Sequence, residues 1–167
     1  MGAGKTKVGR LLAATLECPF VDLDVEIERR SGKKVAEIFA EVGESGFREL
    51  ERAALLATGE LDDAVIALGG GAFAVEANRE IVRRLGRSLW LDVAFPLILR
   101  RLTPEKRRFR PLFSDETKAK DLYEQRLPSY RLADLQMRIE TEAPAEEVAA
   151  RIVSTLREGS SALSRPF

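Results

Sequence analysis

Histidine is absent from all 167 residues. Its absence removes histidine-based triads, imidazole general bases and histidine-ligated metals together. Cysteine is nearly absent: Cys18 stands alone. No intramolecular disulfide can form, which fits a reducing, cytoplasmic setting. Net charge is lacking too. The 27 Lys and Arg residues cancel the 27 Asp and Glu, which argues against a chain that lives on nucleic acid or on an anionic membrane. No apolar run approaches the ~20 residues of a membrane helix, and the N-terminus carries no apolar secretory stretch. Chemistry is left to carboxylates, lysine, arginine, hydroxyls, backbone amides and a borrowed metal ion. Phosphoryl transfer needs little beyond those groups.

What is present describes an ordinary globular chain. Apolar residues make up 45% and charged residues 32%, and the length suits one compact domain with a real core. Helix-like and strand-like patterns alternate, which predicts an α/β fold with a mostly parallel sheet. Lys5 to Leu16 reads as a helix with Val8, Leu11, Leu12 and Leu16 on one face. Phe20 to Asp24 reads as a strand. Val25 to Arg30, Lys34 to Glu41 and Gly46 to Gly59 read as helices, the last with Phe47, Leu50, Ala54 and Leu55 inward. Ala64 to Leu68 is a buried-strand run that ends in Gly69-Gly70-Gly71. A helix over Glu76 to Leu85, a strand over Ser88 to Asp92 and a helix over Pro96 to Leu102 follow. Residues 103–120 are polar, basic and proline-containing, so they read as a lid. A helix over Leu122 to Leu127, stopped by Pro128, then leads to a strand over Leu135 to Glu140. The helix over Pro144 to Arg157 closes a single domain of residues 1–157, with 158–167 as a tail.

The opening Met1-Gly2-Ala3-Gly4-Lys5-Thr6 matches the later part of the Walker A pattern G-x-x-x-x-G-K-[ST]. Glycines let backbone amides curl around phosphates because no Cβ blocks the approach. The helix that follows points its positive end at the same anion. Lys5 would reach the β- and γ-phosphates, and the Thr6 hydroxyl would hold Mg²⁺. The first glycine of the pattern would stand two positions before Met1. The reading therefore expects the sheet's first central strand to be missing from this sequence. Asp22 and Asp24, two apart in the predicted strand, would share one face and suit a metal or a substrate hydroxyl. Asp-x-Asp alone is equally an acidic strand end or a helix cap.

Taken in order, Gly-Ala-Gly-Lys-Thr, Asp22-Leu-Asp24, Gly46-Phe47-Arg48-Glu49-Leu50-Glu51, Gly69-Gly70-Gly71, Arg110-Pro111-Leu112 and Tyr130-Arg131 resemble shikimate kinase, over most of the chain. The resemblance implies a three-layer α/β/α P-loop kinase fold. It implies transfer of the ATP γ-phosphoryl group to the 3-hydroxyl of shikimate in aromatic amino-acid biosynthesis, by a cytoplasmic monomer using Mg²⁺. Gly2, Ala3, Gly4, Lys5, Thr6 and Lys7 would bind the nucleotide, with Pro144 bordering the adenine. Thr6 and Asp22 would attend the metal. Asp24 would orient the attacking hydroxyl or accept its proton. Arg48 and Arg131 would clamp the substrate carboxylate, and Gly69, Gly70 and Gly71 would meet the substrate with their backbone. Arg110 would swing from the lid over the phosphates.

Each residue also has a plainer use. Arg48 can pair with Glu44 on a solvated helix face, a contact typically worth ~0.3–0.5 kcal/mol. Gly69 to Gly71 can be a turn, Arg110 part of a solvated basic run, and Arg131 a surface charge. Cys18 reads as a small buried hydrophobe and Trp90 as core. Two rival functions stay open. One is another small-molecule kinase of the same fold, acting on gluconate or a nucleoside monophosphate. The other is a non-catalytic remnant that binds nucleotide weakly or not at all.

Overall fold

The computed structural model describes residues 2–101 and 115–160. Helix α1 (Lys5–Leu16) is set off by Gly4, whose backbone at φ 93° lies in the left-handed region. It ends at Glu17, also left-handed at φ 55°, with Pro19 beyond. Val8, Gly9 and Ala13 are its buried face, whereas Leu16 is 40% exposed. The apolar stripe therefore fades in the last turn. Gly9 is required by packing: a Cβ there would stand 2.6 Å from the Phe20 ring, so α1 lies tight against the next strand.

That strand, β1 (Phe20–Asp22), is shorter than the sequence pattern suggests. The chain turns into helix α2 (Leu23–Ser31) directly after Asp22, which stands at its N-cap position with extended backbone. Leu23 and Ile27, one turn apart, are buried. Burying such side chains is worth roughly 1.5–3 kcal/mol each, and that gain favours helix over continued strand. Gly32 closes α2 with φ 70°. Helix α3 (Val35–Ala57) spans both helices predicted for this region. It is broken at Gly43, where φ 68° and ψ −172° lie outside helical space. Phe47, Ala54 and Leu55 face inward, while Leu50 is 39% exposed.

Strand β2 (Val65–Ala67) pairs in parallel with β1, Phe20 opposite Val65 and Asp22 opposite Ala67. A 3₁₀ turn (Ala72–Ala74) leads to helix α4 (Glu76–Leu85). Its first turn holds Glu76 and its last Arg83 and Arg84, each complementing the helix dipole. Strand β3 (Leu89–Val93) precedes helix α5 (Phe95–Arg101). Helix α6 (Glu116–Tyr130) begins at Asp115, whose side chain accepts the Lys118 amide at 3.1 Å. Residues 116–120, read as lid from sequence, are thus helical. The helix also runs through Pro128, which is exposed and costs one backbone bond without ending the turn. Strand β4 (Leu135–Ile139) pairs in parallel with β3. Asp134 fastens the two strand starts, accepting from the Ser88 amide at 2.7 Å and the Ser88 hydroxyl at 2.6 Å. Helix α7 (Ala145–Ser160) comes last and extends past the predicted end at Arg157. No helix among the described residues is long and apolar enough to cross a membrane.

The fold is thus α/β with parallel strands, as the alternation predicts. Its described strands form two parallel pairs, β1–β2 and β3–β4. Two cores accompany them. One gathers Val8, Leu91, Val93, Leu97, Met137 and Ile152 around β3, β4, α1 and α7. The other gathers Leu23, Ile27, Ile38, Phe47 and Leu55 between α2, α3 and α4. The carboxyl ends of β1 and β2 and the amino end of α1 converge where these two bodies meet.

Candidate active site

The amino end of α1 supplies the first part of the site. Gly2 (φ 59°) and Gly4 (φ 93°) both hold left-handed backbone, which a side chain would strain. Nothing stands within 4 Å of a Cβ built on Gly4, so the glycine serves conformation here and not close packing. Ala3 between them is buried, and Lys5 is half-buried. The Thr6 hydroxyl donates to Asp22 Oδ2 at 2.7 Å, tying α1 to the end of β1. A hydroxyl and a carboxylate this close are hard oxygen donors. They fit a Mg²⁺ ion that keeps most of its shell as water and phosphate oxygen. Lys7 is exposed and pairs with Glu146 of α7 at 3.4 Å, two residues beyond the exposed Pro144.

Asp24 faces the same space by a route the pattern misses. It lies in the first turn of α2, not in a strand, so alternation along β1 does not bring it beside Asp22. The strand-to-helix turn does. Burial, and then the neighbouring Asp22 carboxylate, push its pKa above the ordinary value, while Lys5 and Arg48 pull the other way. A Cβ on Gly69 would stand 2.5 Å from Asp24 Oδ1 and 3.2 Å from Glu51 Oε1. A Cβ on Gly71 would stand 2.6 Å from an Arg48 guanidinium nitrogen. A side chain at 69 or 71 would displace the Asp24 carboxylate or the Arg48 guanidinium from its present place.

Arg48 is half-buried on α3. It donates to Glu51 Oε2 at 2.9 Å and to Glu44 Oε1 at 3.0 Å. The Glu44 pair of the plainer reading exists, but the Glu51 bond decides the geometry, because Glu51 is only 1% exposed. Burial raises the Glu51 pKa, and the bonds from Arg48 and Asn78 oppose that rise. The Phe47 ring, stacked on Phe39, lies 5.7 Å from the guanidinium carbon and supports it from behind.

The second guanidinium is not the one the sequence pattern selects. Arg131 is exposed at the end of α6, its amide bonded to Leu127 O at 3.0 Å. Arg126 instead donates to Gly70 O at 2.9 Å, and the Tyr130 hydroxyl donates to the same carbonyl. Arg126 and Tyr130 are four apart and share a helix face because α6 continues through Pro128. Arg131 is turned about 100° away from Tyr130. The Arg126-x-x-x-Tyr130 spacing was the available signal, hidden by reading Pro128 as a stop. Tyr130 lies 6.2 Å ring to ring from Trp90, and both Arg126 and Arg48 act electrostatically on it. Trp90 and Cys18 are half-buried, not core. Arg110 lies outside the described residues.

The assembled site holds two regions side by side. One is the glycine-flanked amino end of α1 with the Thr6 hydroxyl and Asp22 carboxylate, and the other is a glycine-lined wall with one carboxylate and two half-buried guanidiniums. The shikimate kinase family profile matches residues 1–157. The chain is 42% identical to the shikimate kinase of Chromohalobacter salexigens, covering 94% of this chain and 88% of that one. It is 38% identical to that of Salinibacter ruber, covering 93% and 80%. Its structure superimposes on shikimate kinase from Acinetobacter baumannii in complex with shikimate, with TM-score 0.86 and 37% identity, covering 95% of this chain and 89% of that chain.

Proposed function

The chain belongs to the shikimate kinase family, and we propose that it passes the γ-phosphoryl group of ATP to the 3-hydroxyl of shikimate, with the residue roles that follow. The observation that carries the reading is the glycine wall. Asp24 sits at Gly69, Arg126 at Gly70 and Arg48 at Gly71. One base and two cations on three consecutive residues suit an acceptor that presents a hydroxyl and a carboxylate. Planar guanidiniums grip a carboxylate through paired bonds, a geometry lysine does not offer.

In this reading the α1 amides and Lys5 hold the nucleotide phosphates. Thr6 and Asp22 would hold Mg²⁺, which when bound would neutralise charge on the phosphate oxygens. Asp24 fixes the attacking hydroxyl and takes up its proton as the oxygen–phosphorus bond forms and ADP departs. Burial first, and the Asp22 carboxylate second, raise the Asp24 pKa above its ordinary value, a direction that suits proton uptake. Arg110, which lies outside the described residues, would offset charge on the transferring phosphoryl group, and Pro144 would border the adenine. The proposal takes the chain to work as a monomer of one domain. The lone Cys18 supports a cytoplasmic setting.

A substrate panel tests the proposal. ADP release with ATP and Mg²⁺ is expected with shikimate and not with gluconate or nucleoside monophosphates. Release with gluconate but not shikimate would overturn it.

A further inference from the structure

The three glycines at 69–71 are followed by a 3₁₀ turn whose carbonyls are held from α4. Arg79 donates to Phe73 O at 3.0 Å and to Ala74 O at 2.8 Å. Asn78 donates to Ala72 O at 3.2 Å. Its amide nitrogen also donates to Glu51 Oε2, again at 3.2 Å. Both hydrogens of one carboxamide are thus spent, one on each side. Asn78 is 1% exposed and Glu51 equally so, so water does not substitute for either bond. The same Glu51 oxygen receives Arg48. Ala72, in turn, donates its amide to Gly69 O at 3.2 Å.

We infer that Asn78 is a positioning residue, which sets the Arg48 guanidinium and the glycine wall in register with each other. A side chain with two donors and no charge is what the place demands. An acidic residue would face both a carboxylate and a carbonyl without a proton to offer. A cation would compete with Arg48 for Glu51. Three consecutive glycines hold no conformation of their own, and Arg48 is carried on a different helix. Asn78 links the two through one neighbour on each side: Glu51, which receives Arg48, and Ala72, whose amide donates to Gly69 O. Nothing in the sequence pattern marks it, because it lies outside every phosphate or substrate motif.

The inference rests on the acceptor reading above, and its test separates the two. In Asn78→Ala, KM for shikimate should rise about tenfold, as expected for a lost buried hydrogen bond. KM for ATP and kcat should stay within about threefold of the parent. In an Arg48→Ala background the same substitution should raise KM less than it does alone, because part of its effect passes through Arg48. If Asn78→Ala does not fold, Asn78→Ser carries the same expectations with one donor retained. Parallel changes in both KM values, no change in either, or effects fully additive with Arg48→Ala would overturn the inference. A parent chain that releases no ADP with shikimate would overturn the acceptor reading, and this inference with it.

Discussion

Arg126 and Arg131 are five residues apart and have opposite surroundings. Arg126 is half-buried and bonded to Gly70 O, whereas Arg131 is exposed at the end of α6. Arg126→Ala should therefore raise KM for shikimate by about tenfold or more, the scale of a lost charge-assisted bond. Arg131→Ala should change it by less than about twofold. Steady-state kinetics on the two variants decide the matter, and equal effects would contradict the geometry. Asp24 carries a second consequence. Its folded pKa lies above its unfolded value, with burial as the first cause and Asp22 as the second. The folded state therefore holds the proton more tightly, and ionised Asp24 costs stability at neutral pH. That cost fades as pH falls through the raised folded pKa and is gone below the ordinary value of 3.8. Asp24→Asn should raise Tm at neutral pH in the absence of metal and nucleotide, and the gain should vanish at acidic pH. The same variant should lose most of kcat, which makes Asp24 a residue kept for chemistry at the expense of stability.

The broken helix α3 brings Arg48 and Glu51 onto one side of the site, and the break is at Gly43. Its backbone, φ 68° and ψ −172°, is a conformation that only glycine holds cheaply. No atom stands within 4 Å of a Cβ added there, so Gly43→Ala tests strain and nothing else. It should destabilise the fold by about 1–3 kcal/mol, read as a lower midpoint in urea. Unchanged stability would mean that the helix can be continuous. Much at this scale was legible in the sequence. The bounds of α1 and α4 follow from apolar spacing, and the split of α3 follows from its glycines. Two of the readings that failed did so for plain physical reasons. The strand was carried on to Asp24, but the burial of Leu23 and Ile27 turns the chain into α2 at once. Pro128 was read as a stop, but an exposed proline costs a single bond that α6 can lose. That second miss displaced the second arginine. Glu51 stood in a quoted motif without a role, and Asn78 left no mark, because their work depends on a contact between α3 and α4 that no local pattern encodes.

Across the whole molecule, two bodies meet at the carboxyl ends of β1 and β2. The body built on α1, β3, β4 and α7 carries Lys5 and Thr6, the residues proposed to hold the nucleotide and its metal. The body built on α2, α3 and α4 carries Asp24, Arg48 and Asn78. Helix α6 bridges them, since Tyr123 donates to Val93 O at 3.2 Å while Arg126 and Tyr130 hold Gly70. The parallel α/β class was readable from alternation alone. The grouping of strands into two pairs was not, because pairing is set by packing between distant segments. The central claim is that this meeting point transfers phosphoryl from ATP to a hydroxyl of shikimate. Phosphorus NMR of a mixture of the chain, ATP, Mg²⁺ and shikimate tests it most directly. The account predicts ADP and a new phosphomonoester on the 3-hydroxyl in equal amounts. ADP accompanied by inorganic phosphate alone, or no ADP at all, would contradict it.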